Sequence, residues 1–219
     1  MKRRLVVFDL DGTLIDSSRD LATAVNAALR HFAPALPPVP LETVRSFIGS
    51  GARVLMARSV AHVGLDRDPE EVLPVFLSAY GRCLLDTTRL YDGVEQALAA
   101  LGGHALAVLT NKPGEMSRTI LDGLGVGRRF VRVYGGGDLP SRKPDPEGIF
   151  RLLAESGLPP EDAAMVGDSA IDVRTGRAAG IRTIGVSYGF DWASLTAEPP
   201  DIVIDDMRSL PSVLGCATL

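Results

Sequence analysis

The sequence predicts an α/β fold: a doubly wound, Rossmann-like parallel sheet core with an inserted four-helix cap domain. Two observations support this prediction. After about residue 86, short apolar runs typical of buried strands alternate with helical patterns, as in a parallel sheet covered by helices on both faces. Between the first strand and that part, the chain contains helical patterns alone. We therefore predict a core of residues 1–15 and 86–219 and a helical cap of residues 16–85.

The first strand and the helices of the cap follow from local patterning. Residues 4–9 contain the apolar run LVVF, which is typical of a strand covered on both faces. A helix begins after residues 16–18, whose Asp and Ser side chains suit an N-cap, and the proline-rich segment 34–40 ends it. Three further helical patterns lie in LETVRSFI, ARVLMARSVAHV and PEEVLPVFLSAYGRCLL.

The remaining strands and helices alternate along the chain. The predicted strands cover residues 105–110, 130–135, 163–168, 182–187 and 201–205. The predicted helices cover residues 92–102, 114–124, 145–156, 171–179 and 207–214. Ligands of such sheets bind outside the carboxyl ends of the strands, so the side chains that follow each strand are the candidate functional residues.

Polar side chains follow four of the predicted strands. They are Asp9 and Asp11, then Thr110 and Asn111, then Lys143, and finally Asp168 and Asp172. Asp9 and Asp11 share a face if the strand continues, and Asp168 can join them from a neighbouring strand. Two like charges 4 Å apart repel by roughly 4 kcal/mol at an effective dielectric constant of 20. The site therefore requires positive charge, and oxygen ligands with room for water and phosphate suit Mg²⁺.

Lysine is rare in this chain, although basic residues are not. Of the 23 basic residues, 20 are Arg, and the three lysines are Lys2, Lys112 and Lys143. Such a bias suggests that lysine is kept where a compact, flexible ammonium works better than a planar guanidinium. We expect Lys143 to add positive charge beside the carboxylates, and Lys112 is singled out without a role.

Composition narrows the class of protein. Hydrophobic residues make up 46% and charged residues 23% of the chain, an ordinary globular balance. The net charge of −4 argues against nucleic acid or an acidic membrane as a partner. No apolar run approaches the ~20 residues of a membrane span, and the start of the chain does not read as a signal peptide. Cys83 and Cys216 form no metal-ligand cluster, so we expect free thiols in a reducing cytoplasm. The expected partner is a small phosphorylated molecule, and the chain is expected to be a monomer or a homodimer.

Taken together, these segments resemble the haloacid dehalogenase superfamily of phosphatases over nearly the whole chain. FDLDGTLIDS is similar to the first motif of that family, and Thr110 stands where the second motif has its hydroxyl. Lys143 in RKPDP is similar to the third motif and GDSAID to the fourth. The helical insertion resembles the family's small helical cap. Within the superfamily, IGSGARVLM (48–56) and TNKP (110–113) are most similar to the phosphoglycolate phosphatase branch.

The resemblance implies catalytic roles for five residues. Asp9 attacks phosphorus and forms an aspartyl-phosphate, which divides a difficult hydrolysis into two easier steps. Asp11 protonates the leaving alcohol and then takes a proton from the attacking water. Thr110 and the amide of Asn111 bind the phosphoryl oxygens, and Lys143 stabilises the charge on Asp9 and on the transferring group.

The resemblance also implies a metal site and a backbone turn. Mg²⁺ is held by the Asp9 carboxylate, the Asp11 backbone carbonyl and Asp168, with Asp172 nearby or acting through water. The ion shields Asp9 so that an anionic substrate can approach. Gly12 lets the backbone turn sharply beside the phosphate.

The substrate expectation is a small, anionic, phosphorylated metabolite, with 2-phosphoglycolate first. Asp11 disfavours a dehalogenase, which lacks this second aspartate, and the absence of lysine between Lys2 and Lys112 disfavours phosphonate cleavage. Arg53 is the candidate contact for a carboxylate or second anion, with Arg45 and Arg19 as weaker candidates. A sugar-phosphate or nucleotide phosphatase and a sugar phosphomutase remain alternatives. A catalytically idle binding protein on the same fold is a further alternative.

Overall fold

The protein is described by a computed structural model that covers residues 2–215. Its strands are β1 (Leu5–Phe8), β2 (Ile15–Asp16), β3 (Arg89–Leu90), β4 (Ala105–Pro113), β5 (Arg132–Gly136), β6 (Ala163–Gly167), β7 (Arg182–Val186) and β8 (Ile202–Ile204). Six of them form one sheet in the order β5-β4-β1-β6-β7-β8, and every pairing in it is parallel. The predicted doubly wound parallel sheet is confirmed.

Ten α-helices accompany the strands in the described part of the chain. Four follow β2: α1 (Ser18–Phe32), α2 (Leu41–Arg45), α3 (Ala52–Val63) and α4 (Pro69–Gly81). The others are α5 (Val94–Ala100), α6 (Gly114–Gly123), α7 (Glu147–Ser156), α8 (Ala170–Ala178), α9 (Trp192–Ala197) and α10 (Leu210–Val213). We refer to α1 to α4 as the helical insertion. The domain boundaries given above stay a prediction.

The central strand β1 is buried on both faces, which explains its unbroken apolar sequence. Val6 and Phe8 belong to the core cluster that includes residues of the helical insertion, α5 and α6. Leu5 and Val7 belong to a second cluster with α7, in which Ile149 is fully buried. Because successive strand residues point to opposite faces of the sheet, the four residues of β1 pack alternately into the two clusters. Full burial of one such side chain stabilises the fold by about 1.5–3 kcal/mol.

The strand order determines where a ligand can bind. The chain leaves β1 for β4 and β5 on one side and returns for β6, β7 and β8 on the other. The reversal occurs at β1, and the crevice outside the carboxyl ends at such a point is the usual binding place in open α/β sheets. The Asp9 N–H donates to the Val166 carbonyl at 2.9 Å, so the pairing of β1 with β6 reaches the first candidate residue.

Four elements differ from the prediction. β2 and β3 form an antiparallel pair, in which Ile15 faces Leu90 and Asp16 faces Arg89. Strands of two residues carry no readable periodicity, so the sequence did not indicate them. Helix α9 was also not predicted, and β4 extends to Pro113 through an irregular register beyond the expected end at residue 110.

The described residues bear on two further predictions, the absence of a membrane span and the free thiol of Cys83. No helix within residues 2–215 is both long and apolar enough to cross a membrane. Cys83 is buried and forms no disulfide. Cys216 lies outside the described residues.

Asp20 links the first helix of the insertion to the segment that leads back to the sheet. Its carboxylate accepts hydrogen bonds from the backbone N–H groups and hydroxyls of Thr87 and Thr88, at 2.6 to 3.0 Å. Burial acts to raise the pKa of Asp20, but the hydrogen bonds from Thr87 and Thr88 outweigh it and lower the pKa below its ordinary value. The charged form is therefore the one that stabilises this junction.

We expect Asp20→Asn to cost about 2 kcal/mol of unfolding free energy at neutral pH, because an amide cannot accept all four donors. A carboxyl whose pKa is lower in the folded state than in the unfolded state stabilises the fold when the pH is above its unfolded pKa of about 3.9. This stabilisation is lost as the pH falls through the folded-state pKa. Urea unfolding of both proteins from pH 7 downward checks the prediction. The difference in unfolding free energy between wild type and Asp20→Asn should become smaller below about pH 4. A difference independent of pH would contradict it.

Candidate active site

Three buried carboxylates meet at the carboxyl end of the central strands. Asp9 follows β1, Asp168 follows β6, and Asp172 lies in the first turn of α8. One oxygen from each carboxylate lies within 4.8 Å of the others. Each of the three residues is at most 5% exposed. The predicted meeting of Asp9 and Asp168 is therefore present in the geometry.

Lys143 is inserted between two of these carboxylates. Its Nζ lies 2.8 Å from Asp9 Oδ1 and donates to Asp172 Oδ1 at 2.6 Å, and its side chain is 1% exposed. The contact with Asp9 is an ion pair, and among the described residues no donor other than Lys143 approaches the buried Asp9 Oδ1. The other oxygen of Asp172 accepts from the backbone and hydroxyl of Ser169, which caps α8.

Asp168 has a different environment. Its Oδ2 accepts the Phe190 N–H at 2.6 Å, and no ion pair to it exists among the described residues. Gly12 lies against the same oxygen: a Cβ at Gly12 would lie 2.2 Å from it, and the backbone φ of +84° also disfavours any other residue. The glycine of the first motif thus permits close packing against Asp168, a contact that the sequence did not reveal.

The electrostatics of the cluster indicate too much negative charge. The pKa of Asp9 is raised to about 6, chiefly by burial. Lys143 acts to lower this pKa, and the charge of Asp172 acts to raise it. Burial, Asp172 and Asp9 together raise the pKa of Asp168 well above its ordinary value. Burial acts to lower the pKa of Lys143, but the charges of Asp172 and Asp9 outweigh burial and raise the pKa above that of a free lysine. Lys143 pairs with two of the three carboxylates and Asp168 has no ion pair among the described residues, so an additional cation would stabilise the charged forms of all three.

The donor set fits a hard divalent cation. All three side chains offer carboxylate oxygens, and the cluster is short of positive charge, since Lys143 is the ammonium paired with both Asp9 and Asp172. Oxygen ligands of this kind suit Mg²⁺ or Ca²⁺ better than softer metals. The Asp11 side chain is not part of this cluster, and the ligand role of its backbone carbonyl stays a prediction.

Thr110 and Asn111 lie in the carboxyl half of β4, which continues to Pro113. Both are 5% exposed and line the cleft beside Asp9. The Asn111 side-chain amide donates to the carbonyls of Gly49 and Lys143, at 3.1 Å each. Asn111 therefore connects the helical insertion to the segment that carries Lys143.

The cleft has a polar floor and an apolar wall. The floor is formed by Asp9, Asp11, Thr110, Asn111 and Lys112 at the strand ends. The helical insertion supplies most of the wall, through Leu21, Ile48, Ala52, Leu55, Phe76 and Tyr80. An apolar wall of this kind limits the access of water to the floor.

Asp11 forms an ion pair with Lys112 and does not contact Lys143. Lys112 Nζ donates to Asp11 Oδ1 at 2.9 Å and to Oδ2 at 3.0 Å, and the Ser17 hydroxyl also donates to Oδ1. Burial acts to lower the pKa of Lys112, but Asp11 and Tyr80 raise it to about 12. The scarcity of lysine singled out Lys112, whereas nothing in the sequence pointed to Ser17 or Tyr80.

Arg53 is not brought to the cleft. Its guanidinium pairs with Glu70 at 2.8 Å, its side chain is 62% exposed, and it is absent from the residues that line the floor and wall. The helical face that carries it turns toward solvent, so the geometry does not support the predicted substrate contact. Arg45 donates to the Gly189 carbonyl and lies over the Phe190 ring, and Arg19 is exposed.

Comparison with known proteins gives consistent results. A family model described as haloacid dehalogenase-like hydrolase matches residues 6–186. A phosphoglycolate phosphatase from Pseudomonas fluorescens (strain Pf0-1) is 42% identical over 221 residues, which cover 97% of this chain and 79% of that protein. One from Haemophilus influenzae (strain ATCC 51907 / Rd) is 38% identical, covering 96% of this chain and 98% of that protein.

A solved structure extends this likeness to three dimensions. The crystal structure of a predicted phosphoglycolate phosphatase from Haemophilus somnus 129PT superposes with a TM-score of 0.90. It is 34% identical, and the match covers 97% of this chain and 98% of that one. With the parallel sheet, the buried acidic cluster and its lysine, these matches establish that the chain belongs to the haloacid dehalogenase-like hydrolase family.

Proposed function

We propose that this protein is a Mg²⁺-dependent phosphomonoesterase that hydrolyses 2-phosphoglycolate through an aspartyl-phosphate on Asp9. The observation that carries the proposal is the buried group of Asp9, Asp168 and Asp172 around Lys143. The names of relatives about 40% identical over nearly the whole chain support the reaction and the substrate.

The proposed metal ligands are the carboxylates of Asp9 and Asp168 and the backbone carbonyl of Asp11. Asp172 has both oxygens engaged by Lys143 and Ser169, so we assign it to orienting Lys143 or to a contact through water. When bound, Mg²⁺ supplies positive charge that allows an anionic substrate to approach an anionic nucleophile.

The protein's own residues perform the bond changes. An Asp9 oxygen forms a bond to phosphorus while the bond between phosphorus and the leaving oxygen breaks, and Asp11 gives that oxygen its proton. Asp11 then takes a proton from water, whose oxygen attacks phosphorus and releases phosphate and free Asp9. The Thr110 hydroxyl and the Asn111 backbone amide donate to the phosphoryl oxygens, and Lys143 holds Asp9 in line.

The apolar wall favours a small substrate over a sugar phosphate. Side chains such as Leu21, Leu55 and Phe76 offer no hydrogen-bond partner to the hydroxyls of a sugar that extends along the wall, whereas the much shorter 2-phosphoglycolate can keep its carboxylate at the polar floor. A buried hydroxyl without a partner costs about 1–3 kcal/mol, which reduces kcat/KM for sugars by roughly 5- to 150-fold per group.

The test is a comparison of kcat/KM for 2-phosphoglycolate, glucose 6-phosphate and AMP in the presence of Mg²⁺. We expect 2-phosphoglycolate to be preferred by at least about tenfold. Preference for either other compound would overturn the substrate assignment and leave the reaction class intact. Failure to release phosphate from all three and from p-nitrophenyl phosphate would overturn the enzyme assignment and favour a binding protein.

A further inference from the structure

Lys112 and Tyr80 form a buried, hydrogen-bonded support beneath Asp11. Lys112 Nζ donates to both Asp11 oxygens, at 2.9 and 3.0 Å, and to the Tyr80 hydroxyl at 2.5 Å. The Lys112 side chain is 3% exposed, so its ammonium depends on these partners and not on water. The mechanism proposed above gives neither Lys112 nor Tyr80 a part.

The local structure explains how Lys112 reaches Asp11. Lys112 stands two residues after Thr110 in β4, and β4 is the direct neighbour of β1, whose following loop carries Asp11. Lysine brings three donors on a flexible stem, which suits two carboxylate oxygens and a hydroxyl at once. The planar fork of arginine, the prevalent basic side chain of this sequence, cannot adopt that arrangement as readily.

Tyr80 supplies the contribution of the helical insertion. It lies in the last turn of α4, is 1% exposed, and stacks on Phe76 with ring centroids 5.8 Å apart. Lys112 Nζ also lies 4.5 Å from the centroid of the Tyr80 ring, a cation–π distance. The ammonium is thus held jointly by the sheet and by the insertion.

We propose that Lys112 is a positioning residue that orients Asp11 toward the leaving group, and that Tyr80 anchors Lys112 from the helical insertion. The inference rests on the proposed function, in which Asp11 protonates the leaving alcohol. An aspartate side chain turns about two bonds, and the donors from Lys112 and Ser17 restrict both. Displacement of a reacting group by about 1 Å costs about 100-fold in rate.

Substrates with different leaving groups provide the test. An alkoxide must be protonated as it leaves, whereas p-nitrophenolate leaves as a stable anion. The split is measured in kcat/KM, which reports formation of the aspartyl-phosphate, because kcat also contains its hydrolysis, in which Asp11 acts as a base for every substrate. Lys112→Met should lower kcat/KM for 2-phosphoglycolate by about 100-fold, and kcat/KM for p-nitrophenyl phosphate by less than about fivefold. Tyr80→Phe, which keeps the stacked ring, should show the same split at about tenfold. Glucose 6-phosphate replaces 2-phosphoglycolate if the substrate comparison ranks it higher.

Matched controls separate positioning from general disruption. Lys2→Met removes an ammonium paired with Asp162, and Tyr134→Phe removes a hydroxyl that donates to the surface residue Glu155. Neither should change kcat for either substrate. Asp11→Asn is the reference and should show the largest split between the two leaving groups.

Each outcome has a defined meaning. Equal losses of kcat/KM on both substrates in Lys112→Met would indicate a structural role and overturn the inference. A split in Asp11→Asn without one in Lys112→Met would overturn the inference and leave the proposed function standing. No split in Asp11→Asn would overturn the general-acid assignment, and the inference with it.

Discussion

Asp9→Asn should lower the turnover of 2-phosphoglycolate by at least about 10⁴-fold, because an amide oxygen cannot serve as the nucleophile. The loss should be equally large with p-nitrophenyl phosphate, since every substrate must pass through Asp9. This uniform loss distinguishes Asp9 from Asp11, whose substitution should depend on the leaving group. Steady-state kinetics with both substrates measures the effect.

The fold should survive the Asp9→Asn substitution. Lys143 keeps Asp172 as a counter-ion at 2.6 Å, so its ammonium is not left unpaired. We expect a change in unfolding free energy within about 2 kcal/mol, measured by urea unfolding. Asp162→Asn is the matched control, because Asp162 pairs with Lys2 just before β6, at the opposite end of the sheet, and should retain full turnover. Retention of more than about 1% of activity in Asp9→Asn would contradict a nucleophilic role.

Mg²⁺ should stabilise the wild-type protein, and Asp168→Asn should abolish that stabilisation. At a Mg²⁺ concentration 100 times its Kd, binding contributes about 2.7 kcal/mol. For a chain of this length, that corresponds to a rise in Tm of about 5–10 °C. Asp168→Asn removes a carboxylate ligand but keeps an oxygen that can accept the Phe190 N–H. Thermal unfolding with and without Mg²⁺ measures the shift independently of activity.

Without Mg²⁺, Asp168→Asn should be more stable than the wild type, the reverse of the order expected with Mg²⁺. The raised pKa of Asp168 means that its ionised form destabilises the metal-free fold at neutral pH, and burial is the largest cause. A neutral amide removes that cost, so metal-free Asp168→Asn should unfold at a higher temperature than the metal-free wild type. Asp162→Asn should respond to Mg²⁺ as the wild type does. Equal Mg²⁺ shifts in wild type and Asp168→Asn would contradict the metal site.

Local patterns in the sequence determined the sheet and the positions of most candidate residues. Buried strands and amphipathic helices are recognisable within windows of about 4 to 18 residues. Their alternation implies parallel strands with a common carboxyl edge, where Asp9, Lys143 and Asp168 follow strands and Thr110 lies in the carboxyl half of β4. Their gathering could therefore be predicted without knowing any contact.

Only the tertiary structure decided how each side chain is used. Lys112 meets Asp11 across 101 residues of sequence and Tyr80 across 32, and no local pattern encodes such a meeting. Arg53 matched a plausible motif, but the rotation of its helix directs it to Glu70 and solvent. Periodicity reports which face of an element is buried, whereas partners, counter-ions and pKa values depend on which distant elements pack together.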